Sequence, residues 1–161
     1  MRNTTLCHIE NDGKYLMLHR VKKENDLNHD KWVGIGGKFK ENESPEECNA
    51  REVLEETGLT LYDAKYRCVV TFVSDIWESE LMHIFTASEF SGTIKECDEG
   101  KLVWVDKKEL PDMPIWEGDK IFLRLIDDKS HPFFSLRLEY KDDKLIDAKL
   151  NGEKINIQEY L

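Results

Sequence analysis

The sequence lacks the features that mark several classes of protein. No stretch of its 161 residues approaches the ~20 apolar residues of a membrane span, and the first residues lack the apolar core of a signal peptide. Its four cysteines are widely scattered and form no C-x-x-C pair, which favours reduced thiols in a cytoplasmic protein. No internal repeat, low-complexity segment or linker divides the chain. We therefore expect one cytoplasmic domain over residues 1–161, with no membrane partner.

Positive charge is scarce relative to negative charge. The chain carries 23 Lys and Arg residues against 33 Asp and Glu residues, which gives a formal net charge of −10 at pH 7. Such an acidic surface repels the phosphates of nucleic acids and anionic lipid headgroups. The composition therefore argues against a non-specific binder of nucleic-acid polymers or of membranes.

One stretch of the sequence predicts a helix with both ends marked. Ser44 is a favoured N-cap residue, Pro45 suits the first helical position, and Glu47 completes a capping box. Gly58 supplies the left-handed residue that commonly ends a helix. Because no glycine or proline interrupts the interval, we predict a helix from Pro45 to Thr57.

The predicted helix has one face that we expect to be buried and one that carries carboxylates. At ~100° per residue, the first face holds Ala50, Val53, Leu54 and Thr57. The second face holds Glu52, Glu55 and Glu56. Their like charges repel each other, and Arg51 can offset only part of that repulsion. Bound Mg²⁺ or Mn²⁺ would offset the rest, although a solvated acidic surface is the simpler interpretation of three glutamates alone.

The wider pattern around this helix resembles the signature of a known family. It reads G-x(5)-E-x(7)-R-E-U-x-E-E-x-G-U over residues 37–59, with U an aliphatic residue, and is similar to the Nudix hydrolase box at every fixed position. Those positions are Gly37, Glu43, Arg51, Glu52, Val53, Glu55, Glu56, Gly58 and Leu59. The resemblance implies an α/β fold, namely an α/β/α sandwich with a mixed central β-sheet. It also implies metal-dependent cleavage of a nucleoside diphosphate linked to another moiety.

The resemblance to Nudix hydrolases also implies roles for individual residues. Mg²⁺, with Mn²⁺ as the alternative, would be held by the box glutamates Glu52, Glu55 and Glu56. The main-chain carbonyl of Gly36 and an extra glutamate outside the box, Glu99, resemble further metal ligands of the family. Arg51 would orient the glutamates through charge-assisted hydrogen bonds. Either Glu52 or Glu99 would take the proton of the attacking water, and the sequence does not decide between them.

Segments outside the box extend the resemblance over nearly the whole chain. KWVGIGGK before the box, ECDEGKLVWV and PIWEGD after it, and the FF…LEY…L tail are similar to those of MutT-type 8-oxo-dGTP diphosphatases. That similarity implies hydrolysis of oxidised purine nucleoside triphosphates to the monophosphate and pyrophosphate, with a role in nucleotide-pool sanitation and DNA repair. Since an acidic surface repels a triphosphate, bound cations would have to bring the phosphates in.

The same resemblance implies a pocket for the purine base. Trp116 matches a residue that stacks on the base, and Asp119 matches an acid that reads the edge of the base. Gly118 replaces a second acid of this branch and Val33 replaces an asparagine, and both departures bear on the purine preference. Residues in places that line the pocket or contact phosphate are Thr5, Arg20 and Lys38. From the residues alone, Trp116 could instead be a structural plug and Asp119 a helix cap.

Two other functions stay open from the sequence. The first is a Nudix hydrolase that acts on another nucleoside diphosphate derivative, such as ADP-ribose, a dinucleotide or an RNA 5′ end, although the acidic surface weighs against RNA. The second is a Nudix-fold sensor that binds nucleotides without cleaving them, which would be expected to lose box glutamates that this chain keeps. The sequence does not decide between a monomer and a homodimer.

Residues outside the box predict strands and a second helix. Strands are predicted at residues 4–10, 14–20, 59–64, 66–74, 81–88, 101–105, 133–141 and 144–150. Turns at Asn11-Asp12-Gly13 and Asp142-Asp143 predict two hairpins. The second helix is predicted to open near Trp116 and to run through Asp128. Its buried face is predicted to hold Ile121, Phe122, Leu125 and Ile126.

Overall fold

The chain folds into eleven strands and two α-helices within residues 1–21 and 26–161, the part that the computed structural model describes. The strands are β1 (Arg2–Asn11), β2 (Lys14–His19), β3 (Trp32–Val33), β4 (Thr60–Leu61), β5 (Lys65–Ser74), β6 (Glu80–Ala87), β7 (Phe90–Ser91), β8 (Lys101–Asp106), β9 (Phe134–Lys141), β10 (Lys144–Leu150) and β11 (Glu153–Lys154). The helices are α1 (Pro45–Thr57) and α2 (Asp119–Asp127), with 3₁₀ turns at Leu110–Asp112 and Ile157–Glu159. No helix among the described residues is long and apolar enough to cross a membrane.

Nine of the described strands form one mixed sheet. Their order is β11-β10-β9-β5-β6-β1-β2-β3, and β8 pairs with β2. The pairs β1–β6 and β5–β9 are parallel, and the other pairs of this sheet are antiparallel. The two remaining strands, β4 and β7, form a small sheet of their own. The expected mixed central sheet is therefore confirmed.

The two predicted hairpins are also confirmed. β1 and β2 are joined at Asp12 and Gly13, whose φ angles are 52° and 75°. Two left-handed residues in succession suit the tight turns whose twist matches that of the flanking strands. β9 and β10 are joined near Asp142, where one residue is left-handed, with a φ angle of 54°. The first turn fixes the register of β1, and hence the face to which each of its side chains points.

Each helix covers one face of the large sheet. Cys7 and Ile9 of β1 belong to a buried cluster that also contains Val53 of α1. Leu6 of β1 packs on a second cluster, which contains Phe122 of α2. Because successive side chains of a strand point to opposite faces, β1 contributes to both cores. The architecture is the α/β/α sandwich that the family resemblance implied.

The ends of α1 lie where the sequence predicts them. The Ser44 hydroxyl accepts a hydrogen bond from the Glu47 main chain at 3.1 Å, and the Glu47 carboxylate accepts one from the Ser44 main chain at 3.0 Å. Gly58 follows the helix with a φ angle of 82°. These contacts complete the predicted capping box and C-terminal glycine.

The buried face of α1 differs from the prediction. The buried residues of α1 are Cys48, Asn49, Val53 and Thr57. Ala50 and Leu54, which we expected on that face, are exposed. The physical reason is a polar contact with β1, where the Thr5 hydroxyl lies 3.5 Å from the Sγ atom of Cys48. This contact turns the helix so that Cys48 rather than Ala50 packs on the sheet.

The strand predicted at residues 59–64 is wrong in its extent. Only Thr60–Leu61 forms a strand, and it pairs with Phe90–Ser91. The carboxylate of Asp63 accepts hydrogen bonds from the main chains of Ser88 and Glu89, both at 2.9 Å. Side-chain acceptance of this kind favours a turn over a continued strand.

The second helix, α2, begins at Asp119, three residues later than the predicted opening near Trp116. Its predicted buried face is largely confirmed. Ile121, Phe122 and Ile126 are buried, and Leu125 packs against the same cluster while partly exposed. The apolar face of α2 therefore packs on one side of the sheet. Asp119, in the first turn of α2, lines the cavity described below.

Candidate active site

A glycine-rich segment lies beside the N-terminal half of β1. Residues 35–38 are bridged to that strand at two positions. A Cβ atom at Gly36 would overlap the carbonyl oxygen of Thr5. A Cβ atom at Gly37 would lie 2.5 Å from the carboxyl carbon of Glu52. The main chain of Thr5 therefore excludes a side chain at residue 36, whereas a side chain at residue 37 would displace the carboxylate of Glu52.

Arg51 binds the carboxylates of three glutamates at once. Its Nε and Nη2 atoms donate to the two oxygens of Glu43, at 2.6 and 2.8 Å. Its Nη1 atom donates to Glu52 at 2.7 Å and to Glu55 at 3.1 Å. The hydrogen bonds from Arg51 lower the pKa of Glu43 to about 2. This geometry suits the orienting role that the family resemblance implies for Arg51.

A second pair of carboxyl groups lies next to Glu52. Glu56 and Glu99 share a hydrogen bond, and burial, followed by the charge of Glu99, raises the pKa of Glu56 to about 9. The charge of Glu52 adds to this shift, and that of Arg20 opposes it. One oxygen of Glu56, Oε2, is buried and has no hydrogen-bond partner among the described residues. A buried acceptor without a donor is costly, so this oxygen is suited to a positively charged ligand.

The carboxylates are the kind of ligand that a divalent cation prefers, but they differ in how exposed they are. Glu52 has a side chain that is 14% exposed, whereas the side chain of Glu55 is 53% exposed and lies against Arg51. Glu52, Glu56 and Glu99 thus lie close together, and Glu55 lies at the rim. Within residues 1–21 and 26–161, no group of three or more His, Cys, Asp or Glu side chains is arranged to hold a metal ion. The glutamates would therefore adjust their side chains to supply the hard oxygen ligands that Mg²⁺ prefers.

Glu52, Glu56 and Glu99 line one end of a cavity of about 780 Å³. That volume falls within the ~300–1,000 Å³ range of small-molecule sites. Part of its floor is the α2-facing side of the sheet, where Glu80, Phe72 and Leu138 lie in register across three strands. Other lining residues include Gly36, Lys38, Asn28, Trp116, Asp119 and Tyr140. The cavity therefore joins the glutamates to the two residues that the resemblance assigns to the base.

Trp116 lies in the cavity wall away from the glutamates. The residue is 6% exposed, and its Nε1 atom donates to the Oδ1 atom of Asn28 at 2.8 Å. The rings of Phe72 and Tyr140 meet it at right-angled geometry, with centroids 5.5 and 5.0 Å away. The Nζ atom of Lys31 lies 4.7 Å from the centroid of the Trp116 ring. Trp116 thus packs in the core and also lines the cavity.

Asp119 lies in the first turn of α2, on the same wall. It is 7% exposed, and burial raises its pKa to about 7, while the charge of Lys31 opposes that shift. Gly118 rather than Asp119 holds the N-cap position, and no side-chain hydrogen bond caps this end. The interpretation of Asp119 as a helix cap is therefore wrong. A carboxyl group with a pKa near neutrality can accept a hydrogen bond when ionised and donate one when protonated.

The two departures from the family pattern have structural counterparts. A Cβ atom at Gly118 would lie 2.6 Å from the Tyr140 hydroxyl, which accepts a hydrogen bond from the Gly118 main chain at 2.7 Å. Tyr140 thus fills the space that an acidic side chain at residue 118 would need. Val33 lines the cavity as an apolar residue, and Asn28 brings an amide to the same cavity from another segment.

The sequence did not reveal three residues of this wall: Asn28, Lys31 and Tyr140. Asn28 lies in a polar stretch with no periodicity. Lys31 and Tyr140 lie in two segments that carry the family resemblance, KWVGIGGK and the FF…LEY…L tail, but the resemblance gave neither residue a role. Their contacts with Trp116 identify all three.

The remaining residues that we predicted to contact the substrate or the metal lie at different places around the cavity. Arg20 and Gly36 line the cavity. Thr5 also lines it, although its hydroxyl points to Cys48 beneath α1. Lys38 is exposed at the cavity edge, and its carbonyl oxygen accepts a hydrogen bond from Arg51 at 3.0 Å.

The sandwich and the carboxylate-bearing helix over a glycine-rich segment define a hydrolase of phosphate anhydrides. The NUDIX domain family model matches residues 1–126. The chain belongs to the Nudix hydrolase family, and it is an enzyme of the pyrophosphohydrolase class.

Individual relatives agree on the family but not on the substrate. The chain is 35% identical over 124 residues to the oxidized purine nucleoside triphosphate hydrolase of Danio rerio, covering 76% of this chain and 77% of that protein. It is 30% identical over 124 residues to the uncharacterized Nudix hydrolase YvcI of Bacillus subtilis, covering 74% and 75%. It is also similar to the CTP pyrophosphohydrolase of Escherichia coli, at 27% identity over 112 residues, 69% of this chain and 80% of that protein. The crystal structure of a MutT protein from Bacillus halodurans matches with a TM-score of 0.81 at 28% identity, covering 95% and 99% of the two chains.

Proposed function

We propose that this Nudix hydrolase cleaves purine nucleoside triphosphates with an oxidised base, such as 8-oxo-dGTP, to the monophosphate and pyrophosphate. The observation that carries the proposal is the continuous cavity between the glutamates and the wall of Trp116 and Asp119. A ligand that spans it needs phosphates at one end and a planar base with hydrogen-bonding groups at the other. The name of the Danio rerio relative supports the same substrate class.

We propose Mg²⁺ as the cation of this site, with Mn²⁺ as the alternative. Glu52, Glu56 and Glu99 would hold it, together with Glu55 at the rim and the main-chain carbonyl of Gly36. When bound, such a cation neutralises phosphate charge and lowers the pKa of a coordinated water. It would also relieve the repulsion that raises the pKa of Glu56.

Side chains of the protein would supply the general base, its orientation and a contact to the phosphates. Water attacks one phosphorus of the triphosphate, the bond to the pyrophosphate leaving group breaks, and a carboxylate takes the water's proton. Either Glu52 or Glu99 would be that base. Arg51 holds Glu52 in its orientation through the 2.7 Å hydrogen bond. The ammonium group of Lys38, at the cavity edge, is suited to contact the phosphates.

At the other end, Asp119 would read the edge of the base. Oxidation of guanine at the 8-position favours the syn base and adds a donor at N7, which changes the groups that the edge presents. Because burial brings the pKa of Asp119 to about 7, both of its protonation states are populated near neutral pH. Trp116 would supply the flat apolar contact that a purine ring favours.

A substrate panel with Mg²⁺ tests the proposal. The panel contains 8-oxo-dGTP, dGTP, CTP, ADP-ribose and a dinucleotide, and the measurement is kcat/KM together with the identity of both products. We expect the highest kcat/KM for 8-oxo-dGTP, with pyrophosphate rather than inorganic phosphate released. A higher value for CTP or ADP-ribose would overturn the substrate assignment and leave family membership intact.

A further inference from the structure

We propose that Arg20 is a positioning residue that links the base-side wall of the cavity to Glu99. Its Nη1 atom donates to the Oε2 atom of Glu99 at 2.9 Å, and its Nε atom donates to the Oδ2 atom of Asp26 at 2.7 Å. One guanidinium group thus holds a carboxylate on each side. The inference rests on the proposed function in one respect, namely that Glu99 takes part in hydrolysis.

Asp26 continues the link toward the base. Its second oxygen, Oδ1, accepts a hydrogen bond from the main chain of Asn28 at 3.2 Å. The side chain of Asn28 in turn accepts the indole N–H of Trp116 at 2.8 Å. A chain of single hydrogen bonds therefore runs from Glu99 through Arg20, Asp26 and Asn28 to Trp116.

The main chain of Arg20 is tied to the same segment. Its N–H donates to the carbonyl of Lys31 at 3.0 Å, and its carbonyl accepts from the N–H of Asp30 at 2.6 Å. Lys31 is the residue whose ammonium lies over the Trp116 ring. Arg20 is therefore anchored to this wall through its main chain and its side chain.

The ion pairs of Arg20 are shielded from solvent. The side chains of Arg20 and Asp26 are 15% and 11% exposed, and that of Glu99 is 30% exposed. Charges at this degree of burial are screened less by salt than surface pairs are. Removal of one partner leaves the others poorly solvated, so the remaining side chains rearrange.

The direction of that rearrangement follows from the geometry of a guanidinium group. With Nε held by Asp26, Arg20 presents Nη1 to one oxygen of Glu99, and Glu99 keeps its hydrogen bond with Glu56. Without Asp26, the fork of Arg20 can turn and bind both oxygens of Glu99. That change would withdraw Glu99 from Glu56 and from the cation. Asp26 therefore keeps Glu99 available for the reaction.

The link has a consequence for specificity, because the fit of the base in the pocket should change the rate of the chemical step. A base that displaces Trp116 would shift Asn28 and Asp26, and through Arg20 it would shift Glu99. Since interactions realised in the transition state raise kcat, a poorly fitting base should lower kcat as well as raise KM.

A double-mutant cycle tests the link, with the triphosphate that the wild-type enzyme hydrolyses fastest as substrate. The cycle can therefore be interpreted even if the preferred triphosphate is not 8-oxo-dGTP. Asp26→Asn should lower kcat by ~10-fold or more and change KM less, because loss of a group that orients a ligand costs about that much. In the Glu99→Gln background, assayed in single turnover with excess enzyme, Asp26→Asn should change the rate by less than about twofold. Arg20→Lys keeps the charge but cannot hold Asp26 and Glu99 in the same fixed geometry, so Glu99 loses its position and kcat should also fall.

Asp30→Asn is the matched control for charge. It removes one carboxylate from the same segment, its side chain is 70% exposed and pairs with His19, and its φ angle of 63° suits asparagine. Its kcat should stay within about twofold of wild type. The proposal is overturned if Asp26→Asn lowers the rate by the same factor with and without Glu99, or if it lowers only the melting temperature.

Discussion

The two ends of the cavity each hold a carboxyl group with a raised pKa, but for different reasons. At the glutamate end, the pKa of Glu56 rises to about 9 because burial is reinforced by the negative charges of Glu99 and Glu52. At the base end, the pKa of Asp119 rises to about 7 through burial, against the positive charge of Lys31. A cation would relieve the first shift, whereas a proton relieves the second. Under the proposed function, the first end would take metal-bound phosphates and the second a neutral, hydrogen-bonding base.

This difference separates the effects that substitutions should have. A change at the glutamate end should lower turnover of every substrate to a similar extent. A change at the base end should alter the choice among substrates, and it should reach the chemical step only where it disturbs the hydrogen-bonded link from Trp116 to Glu99. The predictions below are ordered by the size of the expected effect.

The largest effect should follow Glu56→Gln. Loss of an outer group around a metal already costs ~10–100-fold, so loss of a ligand should lower kcat by at least ~100-fold for all nucleotides. The fold should persist, because Gln has nearly the same shape and cannot ionise, and burial already raises the pKa of Glu56 to about 9, so the metal-free protein holds it protonated near neutral pH. Glu55→Gln, at the exposed rim, should cost ~10-fold or less. Steady-state kinetics at saturating Mg²⁺ would contradict this account if Glu56→Gln kept activity within about twofold of wild type.

Mg²⁺ alone should stabilise the folded protein. A cation that binds the native glutamates and not the unfolded chain adds ~2.7 kcal/mol to the free energy of unfolding at 100 times its Kd. Thermal melts with increasing Mg²⁺, and with EDTA, measure the shift. Glu56→Gln should remove most of it and Asp119→Asn should keep it. An equal shift in both variants would place the cation elsewhere.

The pH dependence of stability should depend in part on Asp119. Burial raises its pKa to about 7, above the ~3.9 of an unfolded aspartate, so the folded state binds this proton more tightly. The stability that the proton contributes is present at low pH and is lost as the pH rises from ~4 to ~7. Urea denaturation of the metal-free protein at about pH 5 and about pH 7.5 measures that loss. Asp119→Asn should shrink it by on the order of 2 kcal/mol, since Asn cannot ionise.

Glu56 titrates in both the wild type and the Asp119→Asn variant, so their difference isolates Asp119. Asp127→Asn is the control, because Asp127 lies in the same helix with a side chain that is 62% exposed. If the free energy of unfolding fell equally with pH in all three proteins, Asp119 would not be the carboxyl group that titrates.

The glutamate end was predictable from the sequence because its geometry is local. Ser44, Glu47 and Gly58 fix the bounds of α1, and helical spacing then places Arg51 next to the glutamates that it binds. The fold class also followed from this pattern, since the box resembles that of one family. The buried face of α1 was not predictable, because it depends on the contact between Cys48 and Thr5 of a distant strand.

The base end could be predicted only in part, because it is assembled from separate segments. Trp116 and Asp119 were identified through the family resemblance. Asn28 and Tyr140 were not. Asn28 lies in a polar stretch with no pattern, and the resemblance of the C-terminal tail gave Tyr140 no role, so only the contacts of both residues reveal them. The exclusion of an acid at Gly118 likewise depends on the Tyr140 hydroxyl, 22 residues away in sequence.

Competition between 8-oxo-dGTP and dGTP tests most directly whether Asp119, at the base end, sets the choice of substrate. Both nucleotides are supplied together at low concentration, so the ratio of the two monophosphates formed gives the ratio of kcat/KM. The wild type should favour 8-oxo-dGTP, and Asp119→Asn should change that ratio by ~10-fold, the worth of one hydrogen bond to a charged group. Asp127→Asn should leave the ratio unchanged. The account is contradicted if Asp119→Asn keeps the wild-type ratio with full activity, because Asp119 would then lie outside the base pocket.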